Sequence, residues 1–288
     1  KAQYLLEKNL VLINGALPKP SLALKLGQEI VIEIPQVSQA IGLVPLDIPL
    51  DIVYEDDDVI VVNKSSGVVV HPAAGHEQDT LVNMLVAHTT QLSMKFNEMR
   101  PGIVHRIDKE TSGLLVVAKN NLAHTNLTEQ FKNRTIHRRY EALCMGNVSP
   151  IAGRIESVLG RHPTDRKRFA SQKNLEGKIA ITHYRVLKAD HNLSFVELRL
   201  ETGRTHQIRV HMSEKGNPLA GDNLYLYKNK LNIVKDQNIN QQIRNLPRFM
   251  LHARDLGFVH PATGKDLFFS IDWPEVDLIW LKELGFKK

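Results

Sequence analysis

Asp108 stands in the run His105-Arg106-Ile107-Asp108-Lys109-Glu110-Thr111-Ser112-Gly113. Arg106, Lys109 and His105 crowd it, and nearby cations favour the ionised form of a carboxylate. An ionised carboxylate is an acceptor, a base or a nucleophile, and not an acid. The bland alternative is a solvated loop carboxylate, and spacing alone favours it. The position of the run weighs the other way. Leu114-Leu115-Val116-Val117-Ala118 follows as an apolar stretch that reads as a buried strand, with Ser112-Gly113 as a turn just before it. A loop carried by a core strand can hold a reactive side chain in place.

Residues 105–119 closely resemble the signature HR(L/I)DxxTSGLLxxAK of the RluA-type pseudouridine synthases, a long and ordered pattern. In that family the Asp is catalytic, so the resemblance implies that Asp108 is the catalytic aspartate. It extends further. Arg139-Tyr140-Glu141-Ala142 is similar to a second family motif, whose Tyr packs against the target base. Arg204-Thr205-His206-Gln207-Ile208-Arg209-Val210-His211, after Glu201-Thr202-Gly203, is similar to a third, which supplies a basic residue that pairs with the catalytic Asp. By position that residue is Arg209. Gly221-Asp222 and Leu251-His252-Ala253 also match, and the resemblance runs from Ile52 to Trp273. It implies an α+β fold: a mixed, mostly antiparallel central sheet crossed by a cleft.

The residue types agree with those roles, each beside a plainer reading. Arg209 offers a planar fork that matches a carboxylate, although structural Arg–Asp pairs are common. Tyr140 offers a face for stacking a base and a hydroxyl for hydrogen bonding, although a tyrosine taken alone is more often core. Arg106 lies two residues before Asp108 and shares its face if the segment is extended. In relatives this Arg fills the gap left in the RNA by the flipped nucleotide. His105 reads as orienting the loop more than transferring protons. Arg204 and His206 are expected to contact RNA.

Charge points the same way. Lys and Arg number 37 against 31 Asp and Glu, a net +6, which fits a polyanion partner without requiring one. Residues 132–139 hold four fixed positive charges and no acid. Residues 161–173 hold five, Arg161, Arg166, Lys167, Arg168 and Lys173, against Asp165 alone. Both stretches read as phosphate contacts or, more blandly, as solvated faces. The single cysteine, Cys144, has apolar neighbours and no Cys/His metal spacing around it, which reads as a buried structural thiol in a reducing compartment, the cytoplasm. No metal-ligand cluster or phosphate-cradling glycine loop stands out, and the family uses neither metal nor organic cofactor. With 42% hydrophobic and 24% charged residues the composition is that of an ordinary soluble globular protein. No apolar run approaches the ~20 residues that span a bilayer. No secretory leader is read at the start, and a chain beginning on Lys1 is expected to lack its true N-terminus.

Three parts are expected. Residues 1–35 resemble the C-terminal half of an S4-type RNA-binding domain: a helix through Tyr4-Leu5-Leu6, a strand over 10–13, an Asn14-Gly15 turn and a strand over 30–34. The first helices of such a domain are missing. Residues 36–49, proline-rich, read as a linker. Residues 50–288 form the catalytic domain, with strands at 52–55 and 59–63, a helix at 80–88 capped by Asp79, and a helix at 121–133 spaced through Leu122, Leu127 and Phe131. Strands follow at 139–143, 153–159, 180–186, 194–200 and 249–258. Residues 228–244 are a polar insertion, partly helical, and 274–284 a terminal helix.

The expected activity is isomerisation of uridines in structured RNA, most of all large-subunit ribosomal RNA or its precursor particle, by a monomer. A tRNA-directed synthase is the nearest alternative. A catalytically idle ribosome-assembly protein would keep the basic patches but has no use for Asp108, Tyr140 and Arg209 together. A glycosidase-like enzyme on free nucleosides has no use for the basic loops.

Overall fold

The computed structural model describes residues 6, 11–19, 22–32, 43–73, 75–95, 99–172, 176–226 and 232–287. The chain divides into two compact units, Lys1–Val44 and Pro45–Lys288. In the smaller, β1 (Val11–Ile13) pairs antiparallel with β2 (Ile30–Ile32). Asn14 and Gly15 take φ of 49° and 78°, the left-handed pair that a tight two-residue turn demands. The Asn14 carboxamide oxygen accepts from the Glu29 N–H at 2.8 Å, tying the turn to the foot of β2. Of the expected first helix only Leu6 is described, and it is helical. The rest of that helix, Leu10, residues 33–34 and the linker up to 42 lie outside the described residues. The linker's last part belongs to the larger unit, where the Leu46 N–H donates to the Asn83 carbonyl at 3.0 Å.

The larger unit is built on a ten-stranded sheet. Its strands are β3 (Ile52–Glu55), β4 (Val59–Lys64), β5 (Ser112–Ala118), β6 (His137–Met145), β7 (Ala152–Arg161), β8 (Phe169–Ser171), β9 (Lys178–Asp190), β10 (Leu193–Leu200), β11 (Leu251–Val259) and β12 (Asp266–Ser270). Their spatial order is β3-β4-β5-β11-β6-β10-β9-β7-β8, with β12 paired to β11. Every pairing is antiparallel except β5 with β11, where Ser112 and Gly113 lie beside His252 and Ala253. The sheet is therefore mixed and mostly antiparallel, as expected, within an α+β fold.

Period-2 alternation explains the apolar runs. In β5, Leu115 and Val117 face one core cluster, with Ile60 and Val62 of β4, while Leu114, Val116 and Ala118 face another. A strand covered on both faces reads as an unbroken apolar run. In β6, Tyr140, Ala142 and Cys144 join the first cluster, whereas Leu143 and Met145 join a third. The helices cover these clusters: α1 (Leu81–His88) and α3 (Gln207–Glu214) the first, α2 (Asn121–Lys132) the second, α4 (Gln237–Arg244) and α5 (Glu275–Glu283) the third. Cys144 is buried, and burial pushes its thiol far up, as a structural thiol requires.

Several expectations are corrected. Thr80, not Asp79, caps α1: the Asn83 side chain accepts from the Thr80 N–H at 3.2 Å and its hydroxyl at 2.5 Å, while Asp79 pairs with His76. Leu122 is 62% exposed, and Ala123, His124 and Leu127 form the buried stripe of α2. Ser112 and Gly113 are the first residues of β5 and not a turn, because β11 comes so close that a Cβ at Gly113 would lie 2.2 Å from the Ala253 carbonyl oxygen. The acid-free stretch 132–139 is only partly an open cationic face. Arg139 is bound to Asp255 and Glu197, Arg134 to Glu201, and Arg138 is buried. Acids distant in sequence neutralise Arg134 and Arg139, and Arg138 keeps no carboxylate partner among the described residues.

Candidate active site

Asp108 sits on the loop before β5, on the face of the sheet that Tyr140 occupies. Two adjoining hollows share Arg106, Ile107, Asp108, His206 and Arg209. Tyr140, Arg138 and Leu251 complete the first. The second, about 430 Å³, opens between Asp222, Arg248 and Phe249. Asp108 lies in the wall common to both, with 17% of its side chain exposed.

Arg209 projects from the first turn of α3. Its Nη1 reaches Asp108 at 3.5 Å, a separation at which attraction is chiefly coulombic. Its fork belongs to another carboxylate: Nε and Nη2 donate to Asp222 at 2.7 and 2.9 Å. Phe249 and Tyr225 lie against the guanidinium, 4.2 and 4.9 Å from their ring centres. Burial opposes the charge, and the Asp222 hydrogen bonds outweigh it, so the cation is fixed. The bidentate match expected with Asp108 is thus made by Asp222, which aims the remaining nitrogen at Asp108.

The turn into α3 sets these positions. His206, at its N-cap, has φ of 55°. The Gln207 carboxamide oxygen accepts from the Thr202 hydroxyl and the Arg204 N–H, and its NH₂ donates to the Ile181 carbonyl and the Thr182 hydroxyl. The Phe169 N–H donates to the Tyr225 hydroxyl at 2.8 Å, which leaves that hydroxyl to donate to His206 Nδ1 at 2.9 Å. Burial lowers the His206 pKa, in keeping with a neutral ring. Burial also pushes the Tyr140 phenol up, helped by the Asp108 charge and opposed by Arg138, so the hydroxyl stays protonated.

Asp108, Tyr140, Arg209, Arg106, Arg204 and His206 therefore line one cleft. His105 does not. Its Nε2 accepts from the Val116 N–H at 3.0 Å, and burial holds its pKa at about 3. That hydrogen bond ties the loop to β5. Arg161, Arg166, Lys167 and Arg168 sit around the turn between β7 and β8 and line neither hollow. Arg161 lies over Phe169 and donates to the Arg166 carbonyl, Arg168 lies over Tyr225, and Arg166 and Lys167 are exposed.

Lys64, at the end of β4, was missed from the sequence. It is 2% exposed beneath the Asp108 loop, and its Nζ donates to the carbonyls of Ser65, Val68 and Lys109 at 2.7, 2.9 and 3.0 Å. Burial pushes its pKa down to about 7, while three acceptors call for the three donors that only the ammonium supplies. A signal was present: Lys64 is in phase with Ile60 and Val62, which face the core. Tyr225 and Phe249 carried none. Among the described residues, Asp56, Asp58 and His260 bring ligand atoms within 4.8 Å of one another. His260 Nδ1 accepts from the Ala262 and Thr263 N–H groups, so Nε2 carries the proton and donates to Asp56 at 2.8 Å. The cluster closes a turn and presents no free imidazole lone pair to a cation.

The RNA pseudouridylate synthase family profile matches residues 58–214. The chain is 43% identical over 272 residues to the ribosomal large subunit pseudouridine synthase D of Pseudomonas aeruginosa, covering 94% of this chain and 82% of that one. It is 47% identical over 232 residues to the protein of the same name from Zymomonas mobilis, covering 80% and 71%. Among solved structures, human RNA pseudouridylate synthase domain containing 1 superposes with a TM-score of 0.59 at 28% identity, over 78% of this chain and 84% of that one. With the sheet, the cleft and the three motifs in place, the chain belongs to the RNA pseudouridylate synthase family, as an RluA-type member.

Proposed function

We propose that the cleft isomerises uridines of large-subunit ribosomal RNA to pseudouridine, with Asp108 as the catalytic residue. The observation that carries this reading is the convergence of Asp108, Tyr140 and Arg209 on one hollow from three separate parts of the chain. The names of the Pseudomonas and Zymomonas relatives support the substrate. A stacked uracil offers its ring to nothing, so the nucleotide has to be everted, at a cost of a few kcal/mol. Tyr140 gives the everted base a face, and Arg106 stands at the mouth to fill the vacated place. The reaction breaks N1–C1′, turns the base and forms C5–C1′. Attack of Asp108 on C1′, attack on C6 and removal of a sugar proton each need a carboxylate with a free lone pair. Asp222 leaves Asp108 that freedom by taking the fork of Arg209.

The smaller unit is read as the end of an S4-type RNA-binding domain, a reading supported by its Asn14-Gly15 turn and separate compactness. The protein acts as a cytoplasmic monomer. No helix among the described residues is long and apolar enough to cross a membrane.

Tritium release from 5-tritiated uridine in large-subunit transcripts tests the assignment. The wild type is expected to release tritium and Asp108→Asn to fall by at least about 10⁴-fold. Comparable rates would remove Asp108 from the chemistry. In a deletion strain, loss of pseudouridine from large-subunit RNA is expected, and its loss from tRNA alone would reject the substrate.

A further inference from the structure

Arg138 lies on β6 two residues before Tyr140, so both side chains leave one face of the strand. It is 8% exposed, yet among the described residues no carboxylate pairs with it. Its Nε is buried without a hydrogen bond. Its Nη2 reaches only the Leu200 and Glu201 carbonyls, at 3.4 and 3.3 Å, and Phe131 lies against the guanidinium at 5.2 Å. The Glu201 carboxylate is already taken by His183 at 2.7 Å and Arg134 at 3.1 Å. A buried cation without an anion is costly, and such an orphan calls for an explanation.

The surroundings provide one. A hollow of about 400 Å³ beside Arg138 is lined by Arg106, Lys132, Arg134, Arg138 and Arg204, against Glu201 alone. Arg106, Arg138 and Arg204 also wall the hollow that holds Asp108 and Tyr140. The two spaces are neighbours, so a strand placing a base in one would carry its backbone past the other. Gly203 keeps the guanidinium's place open, since a Cβ there would lie 2.9 Å from Arg138 Nη1.

We infer that Arg138 binds a backbone phosphate of the RNA strand, adjacent to the uridine held at Asp108. The inference rests on the proposed RNA-modifying function. A phosphate oxygen would satisfy the free Nε and pair the charge, with Arg106 and Arg204 on its flanks.

The test is equilibrium binding of an RNA stem–loop that the wild type converts, measured in the Asp108→Asn background to prevent turnover. Adding Arg138→Gln is expected to weaken binding about tenfold at 150 mM KCl. It should also flatten the plot of log Kd against log salt by about 0.7 to 0.9, the share of one phosphate. Arg138→Lys is expected to restore the slope. Gly203→Ala, which displaces the guanidinium without removing its charge, should weaken binding while the melting temperature holds. A neutral methylphosphonate placed singly at each linkage around the uridine identifies the phosphate. At one position it should weaken binding to the parent and leave the Arg138→Gln protein unmoved.

An Arg138→Gln protein with a lowered melting temperature and an unchanged salt slope would make Arg138 structural and overturn the inference. So would equal sensitivity of both proteins to every methylphosphonate. If Arg138→Gln does not fold, Arg138→Lys and Gly203→Ala carry the same methylphosphonate test. If the wild type converts no RNA at all, the function beneath has failed instead, which the tritium assay reports separately.

Discussion

Asp222 governs the site without touching the space where a base would lie beside Tyr140. It is 1% exposed, takes two nitrogens of Arg209, and accepts from the Leu224 and Tyr225 N–H groups at 3.1 and 3.2 Å. Asp222→Asn removes the charge that holds a buried guanidinium. Breaking a buried pair from one side costs about 3 kcal/mol or more, and a loosened Arg209 is free to turn its fork on Asp108. The expected result is a kcat about 100-fold lower with KM little changed, from misplacement alone, and partial rescue by Asp222→Glu. A variant of lower melting temperature but full kcat would make the pair purely structural. Asp108, Tyr140 and Arg209 were legible as a set because three motifs in order named them. The division of labour between two carboxylates was not, because nothing in the spacing of Arg209 and Asp222 distinguishes which acid takes the fork.

The parallel pairing of β5 and β11 carries the loop that holds Asp108, and two residues test it. A Cβ at Gly113 would meet the Ala253 oxygen at 2.2 Å, backbone against backbone, at a φ of 114°. Gly113→Ala is therefore expected to cost about 3 kcal/mol or more, the upper end of overpacking. Gly264→Ala, at positive φ with nothing near, should cost about 1 kcal/mol. Similar losses from the two in chemical denaturation would mean that β11 can move away. Lys64→Met is expected to strand three carbonyls under the same loop and lower activity with stability, by about 3 kcal/mol. Strands of an unbroken or alternating apolar pattern were readable because periodicity is local. The short β8 and β12 were not read, and they owe their form to pairing with β7 and β11. The turn expected at Ser112-Gly113 failed for a related reason: glycine there serves close approach of a strand 140 residues away.

Histidines, more than carboxylates, set how the whole fold meets acid. His105 and His252 are held at a pKa of about 3 and His211 at about 4, each mainly by burial. Unfolded, all three titrate near 6.5. Between pH 6.5 and about 4 the unfolded chain therefore binds protons at these three rings that the folded chain refuses, and stability falls as pH falls. Each contributes a slope approaching about 1.4 kcal/mol per pH unit. His71, His124, His137 and His206, also lowered by burial, act in the same direction. Asp56, held at about 2 by hydrogen bonds from Tyr54, Val59, Asp58 and His260 against the opposing effect of burial, adds its own loss only below its unfolded value near 4. Calorimetry from pH 7.5 to 4.5 should thus show the melting temperature dropping from near pH 6, well above the carboxylate range. His211→Gln keeps a partner for Ser157 or Thr182, which the ring bonds at 3.0 and 2.8 Å. It should reduce the slope between pH 6 and 5 by up to about 1.4 kcal/mol per pH unit, the share of one ring. A melting temperature flat down to pH 4.5 would mean that these rings are protonated within the fold, and that the core admits charge where burial forbids it.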